Sequence, residues 1–376
     1  MVNKKKNRAP KVNIDQFLRA ILFFLIQFNY FARRVIWYPK IESILIGLVV
    51  MFSVIFFILQ LKNRYLSKNI IGIIAVSAIV SLMIYMNSGD NQLLFIPAML
   101  VFCIRNKGIK DIAKSDLIAK LLVVLVISLC YFTNNIDSYG FYRDGVSRIT
   151  FGFHHPNALG FILAMIYVDI IILAFGKYNK ALLVMVGAVL LYLSNLADSR
   201  TSMIAIVAII TIMLTTSVKL DDSIKEYKKA KKTFITISPL LFAIFSVIIS
   251  NIYSGDNSFL ASINTLFSNR LSLQAYYFDN FPITLFGQKI IMTEYPLDNA
   301  YLSLLFKFGV FGFSLVMLMY ILSIRKMLSE KNRLVFRILL LLMIYALMES
   351  SPMRIIITPI SICFIAKESE RILHEK

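Results

Sequence analysis

The chain has 376 residues, 58% of them hydrophobic and 16% charged, with a formal net charge of +19 from 40 Lys and Arg against 21 Asp and Glu. Long apolar runs divided by clumps of charge exclude an ordinary soluble domain and mark membrane-spanning helices, whose backbone groups are satisfied within the helix. The basic excess sits between the runs, as in the cytoplasmic loops of a multi-span protein, and so points to a membrane rather than to nucleic acid.

In chain order, the basic start "MVNKKKNR" leads into a first run that contains Arg19 and has no clear small-residue cleavage site, so no removable signal peptide is expected. About twelve spans are predicted, over 17–32, 41–61, 69–86, 92–104, 117–133, 156–175, 181–197, 202–218, 234–251, 299–322, 335–350 and 354–366. The fourth and last are short and read as tilted or re-entrant. The expected fold is an all-α polytopic membrane protein, one membrane domain over 1–376. It has an outer loop at 134–155, a basic cytoplasmic loop at 219–233 and a large outer loop at 252–298 carrying an amphipathic helix.

Counting Lys and Arg with both termini inside gives 28 in the inner segments and 9 in the outer ones, which sets the orientation. Arg19, Lys120 and Lys307 fall within spans. The basic loop follows the eighth span rather than the sixth, which argues against two equal transporter-like halves. Cys103, Cys130 and Cys363 all lie in apolar runs and form no disulfide framework. His154, His155 and His374 form no zinc pattern, so neither metal nor cofactor is expected.

The outer cations break the charge rule and need their own explanation. "RDGVSR" places Arg143 and Arg148 before the sixth span, either as a headgroup-binding pair or as a phosphate clamp, a role the guanidinium fork suits. In "FGFHHPNALG", Pro156 fits a first helical position, leaving His155 and Asn157 at a helix N-terminus that favours an anion and a neutral imidazole. His154 reads as an interfacial side chain. "ADSRTS" supplies Asp198 or Ser199 as a helix cap and Arg200 at the start of the next span. In the large loop, Ile263, Leu266, Leu273 and Tyr277 form an apolar stripe with Arg270 on it, either snorkelling or paired. Asp298 and Asn299 open the tenth span as caps or as sugar-hydroxyl partners. Glu349 and Arg354 flank "SSPM" and are expected to pair with each other.

The order "RDGVSRITFGFHHPNALG", "DSRTS", "NRLSLQAYYFDNFPITLFG", "DNAYLSLLFKFGVFG", from about Arg143 to Gly312, resembles that of Wzy-type polysaccharide polymerases and the related O-antigen ligases. The resemblance implies a metal-independent glycosyltransferase of the bacterial cytoplasmic membrane. It would join undecaprenyl-diphosphate-linked oligosaccharide repeat units of an exopolysaccharide, capsule or O-antigen on the outer face. Membrane lipids and a chain-length regulator protein are the implied partners. Arg200 and Arg270 carry over as diphosphate or glycan contacts, and His155, from "HPN", as base or phosphate ligand. Arg143 and Arg148 follow less directly. In the Gram-negative polymerases an arginine precedes a glycine at fixed distance in two outer loops. Here Arg143 to Gly160 and Arg270 to Gly287 are each 17 apart, close to that pattern but not on it. The ligases keep a histidine near the tenth span where this chain has Asp298, which favours a polymerase. A lipid-linked oligosaccharide flippase is the rival from another class and a ligase the third reading.

Overall fold

The computed structural model describes residues 14–62, 68–104, 108–136, 140–143, 145–216, 229–254, 257–266, 269–290 and 296–366. The basic start, residues 219–228 of the basic loop and the basic end from 367 onward lie outside the described residues. The apolar runs fold as helices: α1 (Ile14–Phe31), α2 (Tyr38–Lys62), α3 (Lys68–Ser88), α4 (Phe95–Cys103), α5 (Ile109–Phe132), α6 (Pro156–Ala174), α7 (Lys180–Leu196), α8 (Arg200–Thr215), α9 (Lys229–Thr236), α10 (Ser238–Asn251), α11 (Ser258–Leu266), α12 (Arg270–Asn280), α13 (Ala300–Ser329) and α14 (Arg333–Tyr345).

The architecture is that of an all-α membrane protein, but not one with twelve spans. Among the described residues five helices, α2, α3, α5, α6 and α13, are long and apolar enough to cross a membrane, and the pair α9–α10, bent by 54°, makes a sixth if taken as one span. Apolar composition overstated the number because a run can be apolar for burial among helices as well as for lipid. α4 has 9 residues, about 14 Å of helix against roughly 30 Å of hydrocarbon, and eight of them are buried by protein. The predicted last span is a buried 3₁₀ segment, Pro359–Ile365, packed on α13 and α5.

Burial separates the helices by role. In α6, 83% of the apolar window is enclosed, against 17% in α2, so α6 is the central post and α2 presents its side chains to the surroundings. α6 packs on α5, α7 and α8, while α13 packs on α3, α10, α14 and the last 3₁₀ segment. Gly160 lets α6 approach α8 closely: a Cβ there would stand 2.4 Å from Ser199 Oγ. α13 breaks at Gly309, where φ is 73°. The extended stretch before it crosses the break and satisfies the freed amides, Val310 N donating to Thr284 O at 3.0 Å and Phe311 N to Leu285 O at 3.0 Å. Gly287 makes this crossing possible, with φ of 80° and room for no side chain against Lys307 O.

Two in-span cations of the sequence find partners. Lys120 on α5 holds Asp116 at 2.5 Å and Asp169 of α6 at 2.7 Å, and Gln27 of α1 donates to Asp116 at 2.6 Å, all four buried. Lys307 pairs with Asp90 at 2.5 Å. The single amphipathic helix expected in the large loop is instead two helices, α11 and α12. Asn269, with φ of 61°, stands before α12, and a left-handed residue cannot continue a helical stripe.

Candidate functional site

The site lies where α6, α8, α12 and α13 begin and α7 and α14 end. The loop before α6 forms a short hairpin, β1 (Phe141–Arg143) and β2 (Val146–Arg148), with Phe141 opposite Arg148 and Arg143 opposite Val146. Facing residues of an antiparallel pair share a side, and so do residues two apart, so Arg143 and Arg148 fall on one face although five apart in sequence.

Both arginines reach Asp198. Arg143 Nη1 donates to its Oδ2 at 3.1 Å and to its carbonyl at 3.2 Å. Arg148 donates to the same carbonyl at 2.9 Å and to Ala197 O at 3.0 Å. Arg200, the most exposed of the three, is 3.3 Å from Oδ1. Asp198 is therefore the hub of three guanidinium groups rather than a helix cap; Ser199 holds the cap position of α8 without a side-chain cap bond. The Asp198 backbone is left-handed, with φ of 43°, an orientation aspartate tolerates better than most side chains.

A second hub forms on Glu349. Its Oε1 accepts from Thr201 Oγ1 at 2.8 Å, Asn157 Nδ2 at 2.9 Å and Arg270 Nη2 at 3.2 Å. Its Oε2 accepts no hydrogen bond among the described residues. Arg270 also holds Asp298 at 3.3 Å and donates to Met348 O, so the arginine on the apolar stripe is paired. Asn157 joins the hubs, because its Oδ1 accepts from Arg148 Nη2 at 2.9 Å. The expected pair of Glu349 with Arg354 does not form: Arg354 turns instead to Gln92 at 2.9 Å and Ser350 at 3.3 Å.

His155 is the N-cap of α6, with Nδ1 accepting from Asn157 N at 3.1 Å. An accepting Nδ1 leaves the ring proton on Nε2, which makes that nitrogen a donor. Burial, then the field of Arg148, Arg143, Arg34 and Arg270, pushes the imidazole pKa down to about 4, so the ring is neutral near pH 7. Burial and the charge of Asp298 push Glu349 up to about 7, with Arg270 and Thr201 opposing. Burial also raises Asp298.

His155, Asn157, Arg143, Arg148, Arg200, Arg270 and Asp298 thus converge at one end of the bundle. Asn299 is placed differently. Its Oδ1 caps α13 through Tyr301 N and Leu302 N, and its amide faces Ser246, with the whole side chain buried behind the cluster. Glu349 and Thr201 are the residues absent from the sequence-based set. The signal for Glu349 was present, as it is an acid inside the run read as the span 335–350, and ionisable groups in such runs mark sites. Nothing in the sequence singled out Thr201.

Compared with protein-family models, with curated proteins and with solved structures, the chain matches none.

Proposed function

We propose that the chain is a membrane polymerase that joins polyprenyl-diphosphate-linked oligosaccharide repeat units by glycosyl transfer. The observation that carries this reading is the meeting of Arg143, Arg148, Arg200 and Arg270 with a buried, proton-poised Glu349 at one end of an apolar bundle. Four guanidinium groups against Asp198, Asp298 and Glu349 leave excess positive charge, which grows when Glu349 carries its proton. Arginine forks match phosphate oxygens, and charge at a leaving diphosphate is what such a cluster stabilises.

In the proposed reaction a hydroxyl oxygen of the acceptor sugar bonds to the anomeric carbon of the donor. The anomeric carbon–oxygen bond to the diphosphate breaks, and its electron pair leaves with polyprenyl diphosphate. The hydroxyl proton goes to Glu349 Oε2, the oxygen with no hydrogen bond among the described residues. A carboxylate with a pKa near the working pH is the better base, whereas His155 presents an N–H and serves as a neutral donor to a phosphate oxygen. Arg270 positions Glu349 and faces the leaving group.

The test is the lipid-linked glycan pool of cells lacking the protein, sized by mass spectrometry and assigned to a leaflet. The expected result is single repeat units on the outer leaflet. Single units held on the inner leaflet would replace this reading with a flippase, and long lipid-linked chains would replace it with a ligase.

A further inference from the structure

A second group of cations lies beside the site, around Tyr30 at the end of α1. The Arg354 guanidinium stands 4.7 Å from the Tyr30 ring centre and that of Arg33 stands 5.3 Å from it. His154 meets the same ring edge-on at 5.3 Å, and its buried Nδ1 has no hydrogen-bond partner. Neither Arg33 nor Arg354 is paired with a carboxylate among the described residues, although Arg354 is half-buried. Nearby charges among the described residues are Lys307 and Asp90, which hold each other at 2.5 Å, Arg34, which stacks on Phe141 at 4.7 Å, and two acids beyond pairing distance, Asp298 in the field of Arg354 and Glu42 near Arg33. Arg354 also lines a small, mostly apolar cavity of about 20 Å³ with Gln92, Ser303, Ser350, Phe308 and Ile356.

A half-buried guanidinium without a carboxylate is costly unless an anion completes it. That group and the exposed Arg33 on one ring, with an orphaned imidazole nitrogen beside them, describe the seat of an anion. We propose that Arg33, Arg354 and His154 form a second anion-binding site, for a phosphate or diphosphate group, separate from the Asp198 and Glu349 hubs. Tyr30 orients the guanidinium groups by cation–π contact, and the neutral His154 ring gives a further donor in the tautomer that carries its proton on Nδ1. The site rests on these contacts alone. Together with the proposed function it supplies what two lipid-diphosphate substrates need, a place for each headgroup.

The experiment is the titration of labelled inorganic pyrophosphate into the full chain in nanodiscs of phosphatidylcholine. Wild type is expected to bind at two sites. The double variant Arg33→Gln/Arg354→Gln is expected to lose one of them, with affinity there falling at least about tenfold, while Arg148→Gln/Arg270→Gln loses the other. The single variant Arg33→Gln, at an exposed position, gives the same reading without disturbing the fold, with a several-fold loss at the one site. Unchanged stoichiometry and affinity in both the double and the single variant would overturn the proposal and leave the reading of the Glu349 site untouched. Conversely, a glycan pool that points to a flippase would not alter the pyrophosphate result. Polyprenyl diphosphate doped into the nanodisc distinguishes the source of the phosphate. Competition with pyrophosphate identifies a lipid headgroup, absence of competition a free phosphate, and either outcome upholds the site.

Discussion

The end of the bundle that holds the site and the interior of the bundle treat charge in opposite ways. Around Asp198 and Glu349, arginines outnumber acids and Arg200 reaches the exterior. Around Lys120, two carboxylates outnumber one ammonium, and Gln27 closes a wholly buried set between α1, α5 and α6. A cationic surplus open to the outside is suited to capturing an anion. A sealed triad exposes nothing to a substrate; it fixes which faces of three helices meet, since any other rotation leaves a charge in an apolar interior without a partner. The lesson is that an ionisable residue in an apolar run needs its partners identified before it is assigned a role.

Four substitutions sharpen or break that contrast. The largest effect is expected from Glu349→Gln, which removes the proposed proton acceptor. Glycan extension in membranes should fall about 10²- to 10⁴-fold while the protein level holds, and extension at near-normal rate would transfer the base role elsewhere. The same variant has a pH signature. The folded pKa, about 7, lies above the ordinary 4.5, so the folded state binds more protons than the unfolded one between those values, and this group's contribution to stability falls as pH rises through that window. Thermal unfolding of the wild type should show that slope, and Glu349→Gln should flatten it.

Next comes Lys120→Met in the sealed interior. Two buried carboxylates lose their counter-charge, which costs about 3–5 kcal/mol. The expected outcome is a lower unfolding temperature with undiminished activity per folded molecule; a stable but inactive Lys120→Met would make the triad functional and erase the contrast. Arg270→Ala should lower extension about 10²- to 10³-fold, and normal polymer at normal protein level would remove the site. Arg200→Gln is the smallest: an exposed partner of a shared carboxylate contributes about 1 kcal/mol or less, so a loss beyond about tenfold would show that Arg200 meets the substrate directly.

Much of the site was legible because its residues break a composition rule. Arginines in loops that the charge count assigned to the outer side, and one on an apolar stripe, stand out against their surroundings in the sequence, and all four converge. Pro156 after His155 marked a helix start, and the cap is there. The two glycines 17 residues past Arg143 and Arg270 were visible only as spacing. The structure gives each a steric reason, Gly160 for the approach of α6 to α8 and Gly287 for the crossing of broken α13. Asp198 and Glu349 were misread because capping and neighbour pairing are local rules, while their partners lie up to 192 residues away along the chain.

The sequence alone determined that this is a helical membrane protein, where most of its helices lie, and which cations are out of place, because hydropathy and charge are properties of each segment by itself. It could not determine how many runs cross the membrane, since burial in protein and burial in lipid demand the same apolar side chains. Only the tertiary structure decided that, along with the choice of Glu349 as the buried carboxylate of the cluster and the separation of Arg354 from it. Those outcomes depend on which helix ends meet, and that is set by close approaches such as Gly160 on Ser199 rather than by any one segment.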